Sequence, residues 1–237
     1  MKPAPFDYAA PRSLDEALAL LGEDSKALAG GQSLVPLLNF RLARPRLVVD
    51  LNRVPGLDRI RRVGGALRIG ALVRQAALER STIVAGGWPL LRDAVRFAGH
   101  PQTRNRGTVG GSVAHADPAA ELPAALLALD ARFHVRSTRG AREVAAGDFF
   151  VGPLQTVLRP DELLLELEVP AVAEGARQAF VEHARTHGDF ALAGVAVAGD
   201  RVALLAAGPT PVLLEDADLG DGWKRSLFES LLARARA

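Results

Sequence analysis

The chain of 237 residues contains no cysteine, a single methionine and few aromatic side chains, which make up 5% of the sequence. Without cysteine there is no disulfide framework, no thiolate zinc site and no cysteine-held iron-sulfur cluster. A redox centre in this chain is therefore an organic cofactor. The scarcity of aromatics argues against a base-stacking surface for nucleic acid, although arginines cluster at Arg41, Arg44 and Arg46 and again at Arg59, Arg61 and Arg62. Neither sign of charge dominates, with 29 basic against 27 acidic residues, so the pI of about 9.5 is weak support for a nucleic-acid partner. Long apolar runs are missing too. The stretches 190–199 and 202–208 are interrupted by Asp200 and Arg201 and fall short of the roughly 20 residues of a membrane span. The first residues lack an apolar leader, and a cytoplasmic protein is expected.

What is present is a globular composition, 49% hydrophobic and 24% charged, with 23 glycines and 15 prolines to turn the chain between short elements. Ser13 to Glu16 forms a capping box that opens a short helix closed by Gly22. A strand at 27–29, a helix at 34–42 and a strand at 46–51 predict a small parallel unit over 1–55, bounded by Pro55-Gly56. Over 56–173 the pattern turns antiparallel. A hairpin surrounds Gly64-Gly65, helices are expected at 73–80, 89–97 and 119–129, and strands at 131–137 and 162–169. The remainder, 174–237, predicts a hairpin around Gly199-Asp200 and a terminal helix with an apolar stripe of Trp223, Leu227, Phe228, Leu231 and Leu232.

Two glycine loops stand out, Ala29-Gly30-Gly31-Gln32-Ser33 and Thr108-Val109-Gly110-Gly111-Ser112. Adjacent glycines let consecutive backbone N–H groups approach an anion, and the hydroxyls add donors, so two such loops suit a diphosphate. Single-loop phosphate motifs do not fit, and neither does the nucleophile elbow, because Gly31 to Val35 and Gly110 to Ala114 lack its last glycine. His183 and His187 are spaced for one helix face, but the zinc-protease motif is absent, and no metal site is expected. Ser112, His115 and Asp117 are too crowded in one loop for a relay. Arg104 and Arg106 flank the second loop, as diphosphate partners or as its scaffold.

The segments AGGQSLVPLLNFRLARP from Ala29, RNRGTVGGSVAHADPAAELPAALLALDA from Arg104, FFVGPLQTVLRPDELLLELEVP from Phe149 and HGDFALAGVAVA from His187 resemble, in order, the FAD-binding medium subunits of molybdenum hydroxylases, the group of carbon monoxide and xanthine dehydrogenases. The resemblance implies an α+β fold of the vanillyl-alcohol-oxidase (PCMH) type, with FAD between the first two parts. It implies that both glycine loops bind pyrophosphate. It further implies that Leu34 approaches the flavin ring, Glu121 binds the adenosine part, Leu164 makes an apolar contact and Asp189-Phe190 lies near the isoalloxazine. The implied activity is electron transfer, with no catalytic residue. Electrons would come from an iron-sulfur small subunit beside a molybdenum-cofactor large subunit and pass to NAD, a quinone or oxygen. A self-contained flavin oxidoreductase and an assembly subunit that has lost FAD are the alternatives. Two departures from the family pattern are Arg185-Thr186-His187, where two arginines are usual, and a shortened stretch between Val212 and Trp223.

Overall fold

The structure is a computed structural model that describes residues 2–237. Its first sheet is parallel: β1 (Asp7–Ala9) and β2 (Ser25–Leu28) flank β3 (Leu47–Asp50). Helix α1 (Leu14–Ala19) connects the outer strands, and α2 (Leu34–Asn39) leads from β2 back into the middle. Ser13 caps α1 by accepting the Glu16 N–H at 3.2 Å, while the Glu16 carboxylate accepts the Arg12 N–H at 2.8 Å. The box thus closes one residue earlier than the sequence pattern suggests. Helix α2 ends at Asn39, short of the expected residue 42, because Arg41 turns into the left-handed region at φ 58°.

The second sheet is antiparallel, in the order β4 (Ile60–Val63), β5 (Ala66–Gly70), β10 (Leu163–Val169), β6 (Arg132–Ser137), β7 (Gly140–Ala145). Gly64 and Gly65 both have positive φ, 56° and 89°, the requirement of the tight hairpin turn. Between β5 and β6 run α3 (Gln75–Arg80), α4 (Thr82–Gly87), α5 (Pro89–Phe97), α6 (Pro101–Arg106), α7 (Val109–His115) and α8 (Glu121–Ala128). Every residue of α8 is buried, as its continuous apolar sequence requires, and it is the central rod of the core. A short helix α9 (Ala146–Phe149) and the ribbon β8 (Phe150–Gly152), β9 (Gln155–Thr156) precede β10. Phe133, Phe149 and Phe150 pack edge to face there, with centroids 4.7 and 5.2 Å apart along the chain of rings. Trp88 is buried and its indole N–H donates to Pro170 O at 2.7 Å.

The third sheet corrects an expectation. The expected hairpin, β12 (Ala193–Ala198) and β13 (Arg201–Leu205), and the terminal helix α10 (Trp223–Arg236) are present, but two unexpected strands, β11 (Gln178–His183) and β14 (Val212–Leu213), widen the hairpin to a four-stranded antiparallel sheet. Strand β11 escapes the alternation rule because its inward face reads Gln178, Phe180, Glu182, with one apolar residue in three. The sheet is sandwiched. Ala196, Ala203 and Leu205 join the main core, while Val195, Val197 and Leu204 meet Phe228 and Leu231 of α10. Trp223, at the start of α10, is 67% exposed and takes no part in that stripe.

Candidate functional site

The first glycine loop leaves β2 and enters α2. Gly31 has φ 76°, a conformation that L side chains avoid, and Gly30 is pressed against the chain that precedes the second loop. A Cβ on Gly30 would stand 2.4 Å from Arg106 O and 2.8 Å from the Gly107 α-carbon. The two loops are therefore in contact. Among the described residues, the N–H groups of Gly30, Gly31, Gln32, Ser33 and Leu34 donate to no backbone or side-chain acceptor. Ser33 precedes α2 without a side-chain capping bond, so its hydroxyl is also uncommitted. Open donors at the start of a helix, with the preceding turn adding its own, suit an anionic ligand. The same loop lines a cleft of about 370 Å³ together with Val35, Asp50, Asn52 and Arg106.

The second loop is built differently. Val109 to His115 is a helix, and Gly110 and Gly111 lie inside its first turn. Val109 N–H donates to Val73 O, Gly110 N–H to Ala71 O and Gly111 N–H to Thr108 Oγ1, at 2.9, 2.9 and 3.1 Å. The first two hold the loop to residues 71–73, and the third caps its helix. Gly110 is needed for that close approach, since its Cβ would be 2.5 Å from the Ala71 Cβ. The helix is invisible to pattern reading because paired glycines signal a turn. What this loop still offers a ligand are hydroxyls: Thr108 accepts from Gly111 yet keeps its own hydrogen, and Ser112 has no side-chain hydrogen bond among the described residues.

The remaining candidates separate in space and in role. Glu121 is buried at the first position of α8, where loss of solvent pushes its carboxyl up to about 7, helped by Asp117. Leu164 is buried in β10, opposite Val135 in β6. Phe190 is 73% exposed. Arg104 scaffolds the helices: its buried guanidinium donates to Glu79 at 3.0 Å and to Gly99 O at 3.0 Å. Arg106 instead lines the glycine cleft. His183 ends a strand and His187 lies in the following turn, so they share no helix face; His187 meets the ring of His100 at 6.4 Å. Asp117 accepts the Ala119 N–H at 2.9 Å and makes no bond to His115 or Ser112. His134, Glu143 and Glu168 bring ligand atoms within 4.8 Å of one another, but Arg68 stands among them, 2.8 Å from His134 Nε2 and 2.6 Å from Glu168, and uses their lone pairs.

Sequence reasoning missed Asn52, which lines the cleft, and Arg74, which bonds to it; no motif marks either. It also missed Asp50, which accepts from Tyr8 at 2.5 Å and from the Asn52 N–H at 2.9 Å. Burial opposes ionisation of Asp50, yet the bonds from Tyr8 and Asn52 prevail and hold its carboxyl below the usual range.

The residues present fit FAD at the level of its diphosphate, through the open donors at 30–34 that border the cleft. Among the described residues, no helix is long and apolar enough to cross a membrane. Residues 4–172 match the family described as the FAD binding domain in molybdopterin dehydrogenase. The chain is 45% identical over 231 residues to the 6-hydroxypseudooxynicotine dehydrogenase complex subunit alpha of Paenarthrobacter nicotinovorans, covering 92% of this chain and 78% of that protein. It is 43% identical over 200 residues to the carbon monoxide dehydrogenase medium chain of Hydrogenophaga pseudoflava, covering 83% and 70%. A solved structure of carbon monoxide dehydrogenase from Hydrogenophaga pseudoflava, in a form lacking the Mo-pyranopterin moiety, superimposes with a TM-score of 0.87 at 39% identity, over 99% of this chain and 87% of that one. With an α+β fold and matches of this length, the chain belongs to the family of FAD-binding domains of molybdopterin dehydrogenases.

Proposed function

We propose that the chain is the FAD-bearing electron-transfer subunit of a molybdenum hydroxylase complex, with the cofactor between residues 1–55 and 56–173 and residues 174–237 as a separate third part. The observation that carries this reading is the run of five uncommitted N–H groups from Gly30 to Leu34, in a loop that packs against Arg106 and Gly107 at the entrance to the second loop. In it, Ala29 to Leu34 hold the diphosphate, with Gly30 and Gly31 allowing close approach. Thr108 and Ser112 supply hydroxyls, while Val109, Gly110 and Gly111 hold the second loop in place. Glu121 and Leu164 belong to the adenosine and apolar contacts.

When bound, FAD exchanges electrons one or two at a time, which needs positioning and electrostatics from the protein and no protein nucleophile. The residues of this chain bind and orient. In this reading the electron donor is an iron-sulfur subunit, the substrate is oxidised on a molybdenum-bearing subunit, and NAD, a quinone or oxygen takes the electrons away. The relatives' names fit such an assembly, since one is a medium chain and another a subunit of a dehydrogenase complex.

The test is the flavin absorbance of the purified protein. Substrate should bleach it only when the partner subunits are present. Bleaching of the isolated chain by an organic substrate would favour the self-contained oxidoreductase, and a complex that is active without flavin would favour the assembly subunit.

A further inference from the structure

Two loops that share one ligand must be held in a fixed relation before the ligand arrives, or ordering them costs part of the binding energy. The glycine loops lie about 80 residues apart in sequence, and the contact of Gly30 with Arg106 and Gly107 is one link between them. A second link runs through side chains. Asn52 Nδ2 donates to Ala29 O at 2.9 Å, on the first loop. Arg74 donates from one guanidinium nitrogen to Asn52 Oδ1 at 2.6 Å and from the other to Arg106 O at 2.5 Å, on the approach to the second. The backbone on either side reinforces it: Gln75 N–H donates to Gly107 O at 2.9 Å, and Arg74 and Thr108 form an isolated antiparallel bridge. Asp50 holds Asn52 in turn, through the Asn52 N–H at 2.9 Å and the side-chain amide at 2.5 Å.

We infer that Asn52 and Arg74 form a clamp that sets the spacing of the two glycine loops, so that they are positioning residues for the FAD diphosphate although neither needs to touch it. The inference rests on the reading that both loops serve that diphosphate. The guanidinium is suited to the task because its planar fork delivers two donors in fixed directions, one to each side of the gap. The amide of Asn52 is suited because it offers a donor and an acceptor at once: it hands the link from a carbonyl to a cation. A leucine at 52 or 74 fills similar space but breaks the chain of bonds at that point.

The experiment is a double-mutant cycle on the full chain, stripped of flavin and titrated with FAD by fluorescence quenching. Asn52→Leu and Arg74→Leu should each raise the dissociation constant about tenfold, the loss expected when the ligand must order loops that the clamp no longer holds, and the double variant should be no weaker than the weaker single. The unfolding midpoint of the flavin-free protein should stay near the wild-type value in all three. Additive losses, or an unchanged affinity in either single variant, would overturn the clamp, as would a midpoint that falls in parallel with affinity. Arg74→Gln, which keeps a polar side chain at that position, takes the place of the leucine variant should that fail to fold. Gly31→Val, run alongside, separates the two ideas: if it leaves FAD affinity intact, the loop reading itself fails, whereas its loss beside unchanged clamp variants condemns the clamp alone.

Discussion

Gly30 approaches the carbonyl of Arg106 so closely that a single added methyl group would stand 2.4 Å from that oxygen. Both partners are backbone, so neither can swing aside as a long side chain would. Gly30→Ala should therefore move the first loop away from residues 106–107 and open the cleft. The expected result is a marked loss of FAD affinity by fluorescence titration with the fold retained in circular dichroism, since the strain is confined to one loop. Wild-type affinity in this variant would show that the contact is not needed for binding.

Gly31 and Gly110 should fail for different reasons. Gly31 sits at φ 76°, and its Cβ would meet only the ends of Val35 and Leu28 at 3.2 and 3.3 Å. Gly31→Val strains the backbone locally and should release FAD while the protein stays folded. Gly110, by contrast, is buried against the backbone and side chain of Ala71. Gly110→Val should lower the unfolding midpoint of the flavin-free chain as well as its FAD content. Thermal melts of the two stripped variants distinguish these outcomes.

Fold and site are legible in the sequence where local pattern and tertiary role agree. The Ala17 and Leu18 face, the Gly64-Gly65 turn and the apolar run of α8 each require the element they form. The first glycine loop is legible for the same reason, because a left-handed turn needs glycine. The second reads as a turn although it is a helix, because Gly110 and Gly111 serve close packing, which a sequence cannot separate from a need for positive φ. Strand β11 is hidden by two polar residues on its inward face. The Asn52–Arg74 link is hidden too: its partners are 22 residues apart, belong to no motif, and meet only because the first sheet packs beside the second.

FAD is expected to be held without a covalent bond, because the chain has no cysteine for a thioether and its loop donors are N–H and O–H groups. Acid or urea denaturation followed by filtration should leave free FAD in the filtrate and colourless protein behind. Flavin absorbance that migrates with the polypeptide would contradict this.

Stability should fall as pH rises from about 4.5 to about 8. The reasons are Glu121, pushed up to about 7, and above all Glu182, whose Oε2 is buried without a hydrogen-bond partner and whose carboxyl is pushed up to about 8, first by burial and then by Glu121. Between its ordinary 4.5 and that value, the unfolded chain has released a proton that the folded chain retains, so ionisation favours unfolding. The contribution is fully present below about 4.5 and lost through about 8. Glu182→Gln removes the larger titrating group and should make the dependence of the unfolding midpoint on pH shallower across that window, leaving the share of Glu121. An equally steep dependence in the variant would place its source elsewhere.

The third sheet should be protected in its middle and open at its margins. Strands β12 and β13 are covered by the main core on one side and by α10 on the other, so their amides can exchange only when one of those layers is lifted. Strand β14 pairs over only two residues and β11 ends beside the exposed turn at 184–190. Hydrogen exchange on the isolated chain should therefore be slow at 194–197 and 202–205, near the rate of β6 and β10, and fast at 184–190 and 212–222. Phe228 is the side chain that fastens this layer: it is fully buried, on the face of α10 that meets Val195 and Leu204. Phe228→Ala should cost about 3 to 5 kcal/mol and bring the exchange of β12 and β13 up toward that of the margins, while β6 and β10 stay slow. Uniform acceleration across all three sheets would mean instead that the molecule opens as one unit and that the third layer has no separate stability.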